Sequence, residues 1–277
     1  MIPDDWPPLR PRLLSHVNSV VADLEAAEVL YASMLGGRVF FRDYSEPEDR
    51  DASLLLVGDT CFELFAPRGP GSGLGRFLER RGPALHSFEW EVADVVRAAE
   101  VLQSEGVRLP THLPGVFFMT HPKDTFSMVL EVCGIEMPDD PRSQPEWLPD
   151  PGPVGLVGLD ALTAAVPDLD DAVAWFTRQT GGKVAFGQAS GSSTAVGIDV
   201  GVHLLELEQA TEDRPPGLCS VEFVVSDVVA ARQHLAGIGL RVSGTQDDGR
   251  LVVDLRDTLG VTYRFSATGR PRAATAG

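Results

Sequence analysis

Lysine is nearly missing from this chain. Of 277 residues, only Lys123 and Lys183 are lysines, and Lys plus Arg number 23 against 40 acids, a formal net charge of -17. A nucleic-acid surface needs a basic stripe to displace counterions, and none is legible. An acidic surface is also poorly matched to anionic membranes. Cysteine is scarce: Cys61, Cys133 and Cys219 are far apart and form no CxxC pair. That pattern argues against a disulfide framework or a zinc-thiolate site and reads as buried free thiols in a reducing cytoplasm. No run approaches the roughly 18 apolar residues of a membrane span. Residues 1–12, MIPDDWPPLRPR, contain two acids and four prolines without an apolar stretch, so they do not read as a signal peptide. The expectation is a cytoplasmic protein with a small-molecule substrate, no nucleic-acid or membrane partner, and a monomeric or homodimeric state.

Hydrophobic residues make up 43% of the chain, enough to build ordinary cores. The length suggests two domains of about 150 residues each. Residues 137–153, MPDDPRSQPEWLPDPGP, carry six prolines; such a segment holds neither a helix nor a central strand and reads as a stiff linker. The tail from Ala267 onward, ATGRPRAATAG, is small and polar and reads as frayed. Either side of the linker the chain repeats. ADLEAAEVLYASMLGGRV (22–39) resembles PDLDDAVAWFTRQTGGKV (167–184). PALHSFEWEVADVVRA (83–98) resembles PGLCSVEFVVSDVVAA (216–231), and DTFSMVLEV (124–132) resembles DTLGVTYRF (257–265). The matches keep their order, which makes an internal repeat the leading fold signal.

Each half repeats again. AAEVL occurs at 26–30 and at 98–102, each time after a strand-like run and an Asp. In the first quarter Leu13–Ala22 alternates as a strand, Asp23 can cap the following helix, and Gly36-Gly37 can end it. Strands then follow at Arg38–Tyr44, Ala52–Val57 and Thr60–Ala66. The second quarter reads as strand Ala84–Val92, helix Val95–Glu105, and strands near Val107–Leu109, Gly115–Thr120 and Ser127–Cys133. The fold class is α+β: four βαβββ modules pair into two cup-shaped domains, at 13–136 and 154–266, joined by the 137–153 linker.

Four polar residues occupy corresponding places in apolar strand segments. His16 and His86 lie in the first strands of their modules, and Glu63 and Glu131 in the last. An ionised carboxylate on an inner strand face is costly unless paired or metal-bound. Taken singly, each residue reads more simply as structural or solvent-facing. Two imidazoles and two carboxylates converging in one cup suit a divalent metal such as Mn, Co, Ni, Fe or Zn, with positions left open for substrate. The second half provides a control: the corresponding residues are Ala161, Glu206, Cys219 and Arg264. The scaffold tolerates loss of the set, which argues that the first-half residues are functional and the second half degenerate and metal-free.

Paired βαβββ units with one His and one Glu each resemble the vicinal oxygen chelate superfamily, which includes glyoxalase I, methylmalonyl-CoA epimerase, extradiol dioxygenases and bleomycin-resistance proteins. The first half is most similar to the epimerases, through VGDTCFELFAP (57–67), RFLERRGPALHSFEWEV (76–92) and FMTHPKDTFSMVLEV (118–132). This resemblance implies His16, Glu63, His86 and Glu131 as metal ligands. It also implies a divalent-metal-dependent isomerase, epimerase or lyase that passes through a metal-stabilised enolate of a small oxo-acid or acyl thioester. A base on the loop after the second strand, carried by Pro-Glu, corresponds to Glu48 in SEPEDRD; the same loop also reads as a solvated acidic turn. Glu131 is the alternative base. Asn18, two residues past His16, could serve substrate or a ligand, and His121 and Lys123 in the HPKD turn could meet an anionic substrate. The segment 107–116 is shorter than in the epimerases, and only Arg68, Arg76, Arg80, Arg81 and Lys123 could form a basic rim for a CoA handle. Two readings compete: an extradiol-type dioxygenase, disfavoured by a fourth anionic ligand, and a ligand-binding resistance protein, whose relatives lack the metal set.

Overall fold

The computed structural model describes residues 6–135, 137, 139–187, 194–244 and 249–273. It is α+β, with two eight-stranded sheets of the same design. In the first half the order along the chain is β1 (Pro11–Val20), α1 (Leu24–Leu35), β2 (Arg38–Ser45), β3 (Arg50–Val57), β4 (Thr60–Pro67) and α2 (Gly73–Arg81). There follow β5 (Ala84–Val92), α3 (Val95–Ser104), β6 (Thr111–Leu113), β7 (Phe117–Met119) and β8 (Val129–Cys133). The second half comprises β9 (Leu156–Val166), α4 (Leu169–Thr180), β10 (Lys183–Phe186), β11 (Ala195–Asp199), β12 (Leu204–Gln209) and β13 (Gly217–Val225). It continues with α5 (Val228–Gly237), β14 (Val242–Ser243), β15 (Arg250–Val253) and β16 (Thr262–Ser266).

The first sheet runs β2-β3-β4-β1-β5-β8-β7-β6 and the second β10-β11-β12-β9-β13-β16-β15-β14. Each is two βαβββ modules meeting at a central antiparallel pair, β1 with β5 or β9 with β13. The helices begin where the sequence suggests. Asp23, Asp94, Asp168 and Asp227 each accept a backbone N–H from the first turn, which satisfies donors that a helix start leaves unpaired. Gly36 ends α1 at φ 76°, a left-handed position that glycine adopts without a Cβ clash.

Two expectations are corrected and a third is extended. The strand expected near Val107–Leu109 is absent, and pairing begins at Thr111, after Pro110, which has no N–H to donate. The proline-rich segment, expected as a stiff linker, also packs on the first half. Arg142 is buried against Asp140 and donates to Leu14 O and Ser15 O at 3.2 and 2.6 Å, carbonyls at an irregularity in the β1–β5 pairing. The tail is not frayed through residue 273: Arg270 and Arg272 hold Asp160, Glu206 and Glu222, carboxylates whose burial demands cations. The expected tail residues 274–277 lie outside the described residues.

One apolar core spans both halves. The sheet faces turned away from the cups supply Phe62, Phe88 and Trp90 from one half and Phe223, Tyr263 and Phe265 from the other, all buried. Phe62 meets Phe223 with ring centroids 6.3 Å apart, and the Tyr263 hydroxyl donates to Tyr31 Oη at 2.6 Å. Trp90 Nε1 donates to buried His203 Nε2 at 3.0 Å, while His203 Nδ1 lies 2.8 Å from Leu204 O. Burial pushes the His203 pKa down to about 4, so the ring stays neutral and can accept from the indole.

This sets a pH dependence. The unfolded imidazole takes a proton near 6.5, whereas the folded one resists until about 4, so the unfolded state binds more protons in between. The His203 contribution is complete above pH 6.5 and declines by roughly 3 kcal/mol as pH falls to 4. Denaturant unfolding at pH 7, 5.5 and 4.5 should show a shallower loss for His203→Gln than for the unaltered chain; parallel losses would refute this role.

Candidate metal centre

Strand register brings the polar residues together. Across β1 and β4, Asn18 pairs with Glu63; across β1 and β5, His16 lies opposite Glu89 and Asn18 opposite Ser87; across β5 and β8, Glu89 pairs with Glu131. Because alternate residues share a face, the central strands put His16, Asn18, Glu63, Ser87, Glu89 and Glu131 into one cup. A second small cluster of Val20, Ala52, Phe65 and Leu74, with Phe77 and Leu78 against it, seats α2 over the cup. The adjoining cavity of about 490 Å³ is lined by Glu48, Arg50, Glu63, Phe117, Met119 and Glu131, among others.

His16 is the centre of this group. Its Nε2 is buried without a hydrogen-bond partner and stands 3.5 Å from Glu63 Oε2 and 3.8 Å from Glu131 Oε2. Its Nδ1 is 3.1 Å from Ser15 Oγ and 3.6 Å from Glu89 Oε1. His16, Glu89 and Glu131 offer donor atoms all within 4.8 Å of one another. Two triads therefore share His16 and Glu131. The one with Glu63 fits a cation better, because it uses the nitrogen that has no hydrogen bond. Glu89 then stands at the other ring nitrogen, the usual place for a carboxylate that orients a ligating imidazole. An imidazole and two carboxylates are a donor set for a divalent transition metal.

Without a cation the group carries excess negative charge. Burial opposes a charge on His16, but Glu89, Glu131 and Glu63 outweigh it and hold the pKa near 9. Burial raises Glu63 to about 7 against the pull of His16 and Arg50. Glu131 is lowered despite burial, because His16 and the Ser87 hydroxyl stabilise its charge. Its Oε1 accepts from Asn18 Nδ2 at 2.6 Å and from Ser87 Oγ at 2.5 Å. Asn18 is fully buried; its Nδ2 donates to Glu131 and Ser87 and so orients the carboxylate, while its Oδ1 has no hydrogen-bond partner among the described residues.

His86 does not join the cluster. It is the extra residue in β5 where the pairing with β1 shifts register between Leu85 and Ser87, a bulge. Its Nδ1 lies 3.0 Å from Ser87 Oγ, and its ring packs edge-on to Phe77 at 5.1 Å. It lines a side chamber of about 320 Å³ with Glu48, Ser72 and Pro122. The residue that matches His16 in strand register is Ser87. The sequence contains the signal: His16 precedes helix cap Asp23 by seven positions, as Ser87 precedes Asp94, whereas His86 precedes it by eight. Glu89, unmarked in the sequence analysis, matches Asn18 by the same count.

The remaining candidates sit around the cup. Glu48 lines both chambers and accepts from Arg50 Nε at 2.7 Å. Arg50, also unforeseen, is nearly buried, lies 4.1 Å over the Phe65 ring and brings Nη2 to 3.5 Å from Glu63 Oε1. His121 caps the Pro122–Asp124 turn, its Nδ1 accepting from Lys123 N at 3.2 Å. Lys123 is exposed on that turn.

The second cup shows what the same scaffold does with a different set of side chains. Glu206 pairs with Thr163 and Glu222 with Arg264, repeating the registers of Glu63 and Glu89. Arg264 stands at the register position of Glu131, and further arginines surround the carboxylates. Arg264 Nη1 is 3.3 Å from Glu206, Arg270 donates to Glu206 and Glu222 at 2.9 Å each, and Arg250 Nε is 3.1 Å from Glu222.

Metal binding to the first cup must displace protons from His16 and Glu63, so affinity should rise with pH through about 7 and toward about 9. Calorimetric titration with Co²⁺ or Mn²⁺ at pH 6, 7 and 8 should show this rise. Ser87→Ala, which removes one donor to Glu131, should weaken binding about 10- to 100-fold. A pH-independent affinity, or an unaffected Ser87→Ala, would count against the centre.

Comparison with known proteins agrees with this architecture. The glyoxalase/bleomycin resistance protein/dioxygenase superfamily matches residues 15–117. Ethylmalonyl-CoA/methylmalonyl-CoA epimerase of Cereibacter sphaeroides is 32% identical over 129 residues, covering 43% of this chain and 95% of that one. Human mitochondrial methylmalonyl-CoA epimerase is 30% identical over 129 residues, again 43% of this chain and 72% of that one. Among solved structures, a mutant 4-hydroxymandelate synthase from Streptomyces coelicolor superposes with a TM-score of 0.70 over 96% of this chain and 95% of that one. At 14% identity this is a likeness of fold alone. With two glyoxalase-like domains and a first half that aligns with these epimerases, the chain belongs to the glyoxalase/bleomycin resistance protein/dioxygenase superfamily.

Proposed function

We propose that the chain is a divalent-metal-dependent isomerase of the epimerase type, or a lyase, acting on a small oxo-acid or acyl thioester by removing a proton next to a carbonyl. The observation that carries the reading is the buried His16 Nε2, without a hydrogen-bond partner, between Glu63 and Glu131. His16, Glu63 and Glu131 would hold the ion. Glu89 would orient the imidazole, and Asn18 and Ser87 would orient Glu131. An ion there supplies Lewis-acid polarisation of substrate oxygens, which stabilises an enolate at neutral pH. The match to epimerases over most of the first half supports this class.

The same geometry supports Glu48 as the proton carrier. Glu131 is tied by two hydrogen bonds and held ionised, which suits a ligand better than a base. Glu48 lines the cavity at the chamber it shares with His86, and Arg50 fixes its carboxylate. Burial lowers the His86 pKa, leaving its imidazole neutral and able to exchange a proton beside Glu48. Glu48 is therefore the base, with His86 the second proton carrier of the chamber.

The test combines metal content with isotope exchange. Purified chain should carry about one equivalent of divalent metal, lost in His16→Ala. In D₂O it should incorporate deuterium at the α-carbon of methylmalonyl- or ethylmalonyl-CoA, and Glu48→Gln should slow this by about 10²- to 10⁴-fold. A metal-free protein under replete conditions would sink the reading. Oxygen uptake with catechols, without exchange, would replace it with dioxygenase chemistry.

A further inference from the structure

The second cup keeps a cavity. At the junction of the halves, a space of about 550 Å³ is lined by Arg80 and Arg81 of α2 and by Arg214, Cys219, Ser220 and Arg264 of the second half. It is the repeat-related counterpart of the first-half chamber. Cys219 holds the bulge position of His86, Thr262 pairs with Ser220 as Val129 pairs with Ser87, and Arg264 holds the register position of Glu131. The first cup concentrates carboxylates. Its counterpart sets four arginines against a single lining acid, Asp213, in a chain with a net charge of -17.

The arginines differ in availability. Arg214 and Arg264 are paired with Glu208 and Glu206, which fixes their guanidinium groups at the wall. Arg81 donates to a carbonyl, Pro216 O, at 2.7 Å and has no carboxylate partner among the described residues. Arg80 is exposed and forms no ion pair among the described residues. Ser220 and Thr262 add hydroxyls, and Leu218 and Leu255 add apolar wall. A cleft of this size with a few convergent polar groups on apolar walls is the usual form of a small-molecule site. Arginine at its rim selects carboxylate or phosphate.

We propose that the second half is a working ligand site with inverted charge: its junction cavity binds a small organic anion, a carboxylate or phosphate on a short apolar body. The assignment does not depend on the metal centre of the first cup. Occupancy of the cavity would bridge α2 to the second domain, since Arg80 and Arg81 come from one half and Arg214 and Arg264 from the other.

The test is calorimetric titration of the full chain at low salt with phenylacetate and phenyl phosphate, with inorganic phosphate as the anion lacking an apolar body. One equivalent of at least one organic probe should bind with a dissociation constant of about 1 mM or tighter. Affinity should fall about tenfold in Arg80→Ala, and more in Arg264→Met, while His16→Ala leaves it unchanged. The carboxylate and phosphate arms identify the preferred head group. Arg264→Met leaves Glu206 and Glu208 short of a partner; if it fails to fold, Arg80→Ala alone decides. The proposal is overturned if no probe binds up to about 10 mM, if only inorganic phosphate binds, or if Arg80→Ala binds as the unaltered chain does.

Discussion

Buried carboxylates govern this molecule. Each cup draws strands inward and with them Glu63, Glu89 and Glu131 in one half and Glu206 and Glu222 in the other. Ionised carboxylates removed from water need positive partners at short range. The second cup meets the demand internally, with Arg250, Arg264 and Arg270. In the first cup, among the described residues, the cations paired with these carboxylates are His16, if protonated, and Arg50, whose charge is shared with Glu48. The raised pKa of His16 reflects the carboxylates around it, while that of Glu63 comes first from burial. A divalent ion would supply further positive charge.

The central antiparallel pair of each sheet decides which side chains reach the cup. In the first half, a one-residue bulge in β5 shifts His86 out of line and brings Ser87 and Glu89 into register with Asn18 and His16. A period of two means that a single extra residue exchanges the inner and outer sets. The polar network follows from that shift: Asn18 and Ser87 both reach Glu131, and Glu89 reaches His16.

The two halves also depend on each other. They share one core, sealed by Phe62 against Phe223 and by the hydrogen bonds Tyr263 to Tyr31 and Trp90 to His203. The linker and the tail each brace one half. Arg142 covers open carbonyls of β1, and Arg270 enters the second cup. The junction cavity exists because α2 of one half meets the 213–220 strand entry of the other.

The repeat, the helix caps, the βαβββ order and the gathering of His16, Glu63 and Glu131 were legible in the sequence, because alternation, capping and repeated strings are local. His86 was placed with them by matching letters; counting back from Asp94 points to Ser87 instead. Arg50 and Glu89 left no mark, since an Arg in an acidic turn and a Glu in a strand look solvent-facing until neighbouring strands enclose them. Local pattern thus determined which elements form and which half carries the His and Glu set. Tertiary structure alone decided which atoms face each other, because register across β1 and β5, closure of the cup and docking of Arg142 and Arg270 arise from contacts between residues far apart in the chain.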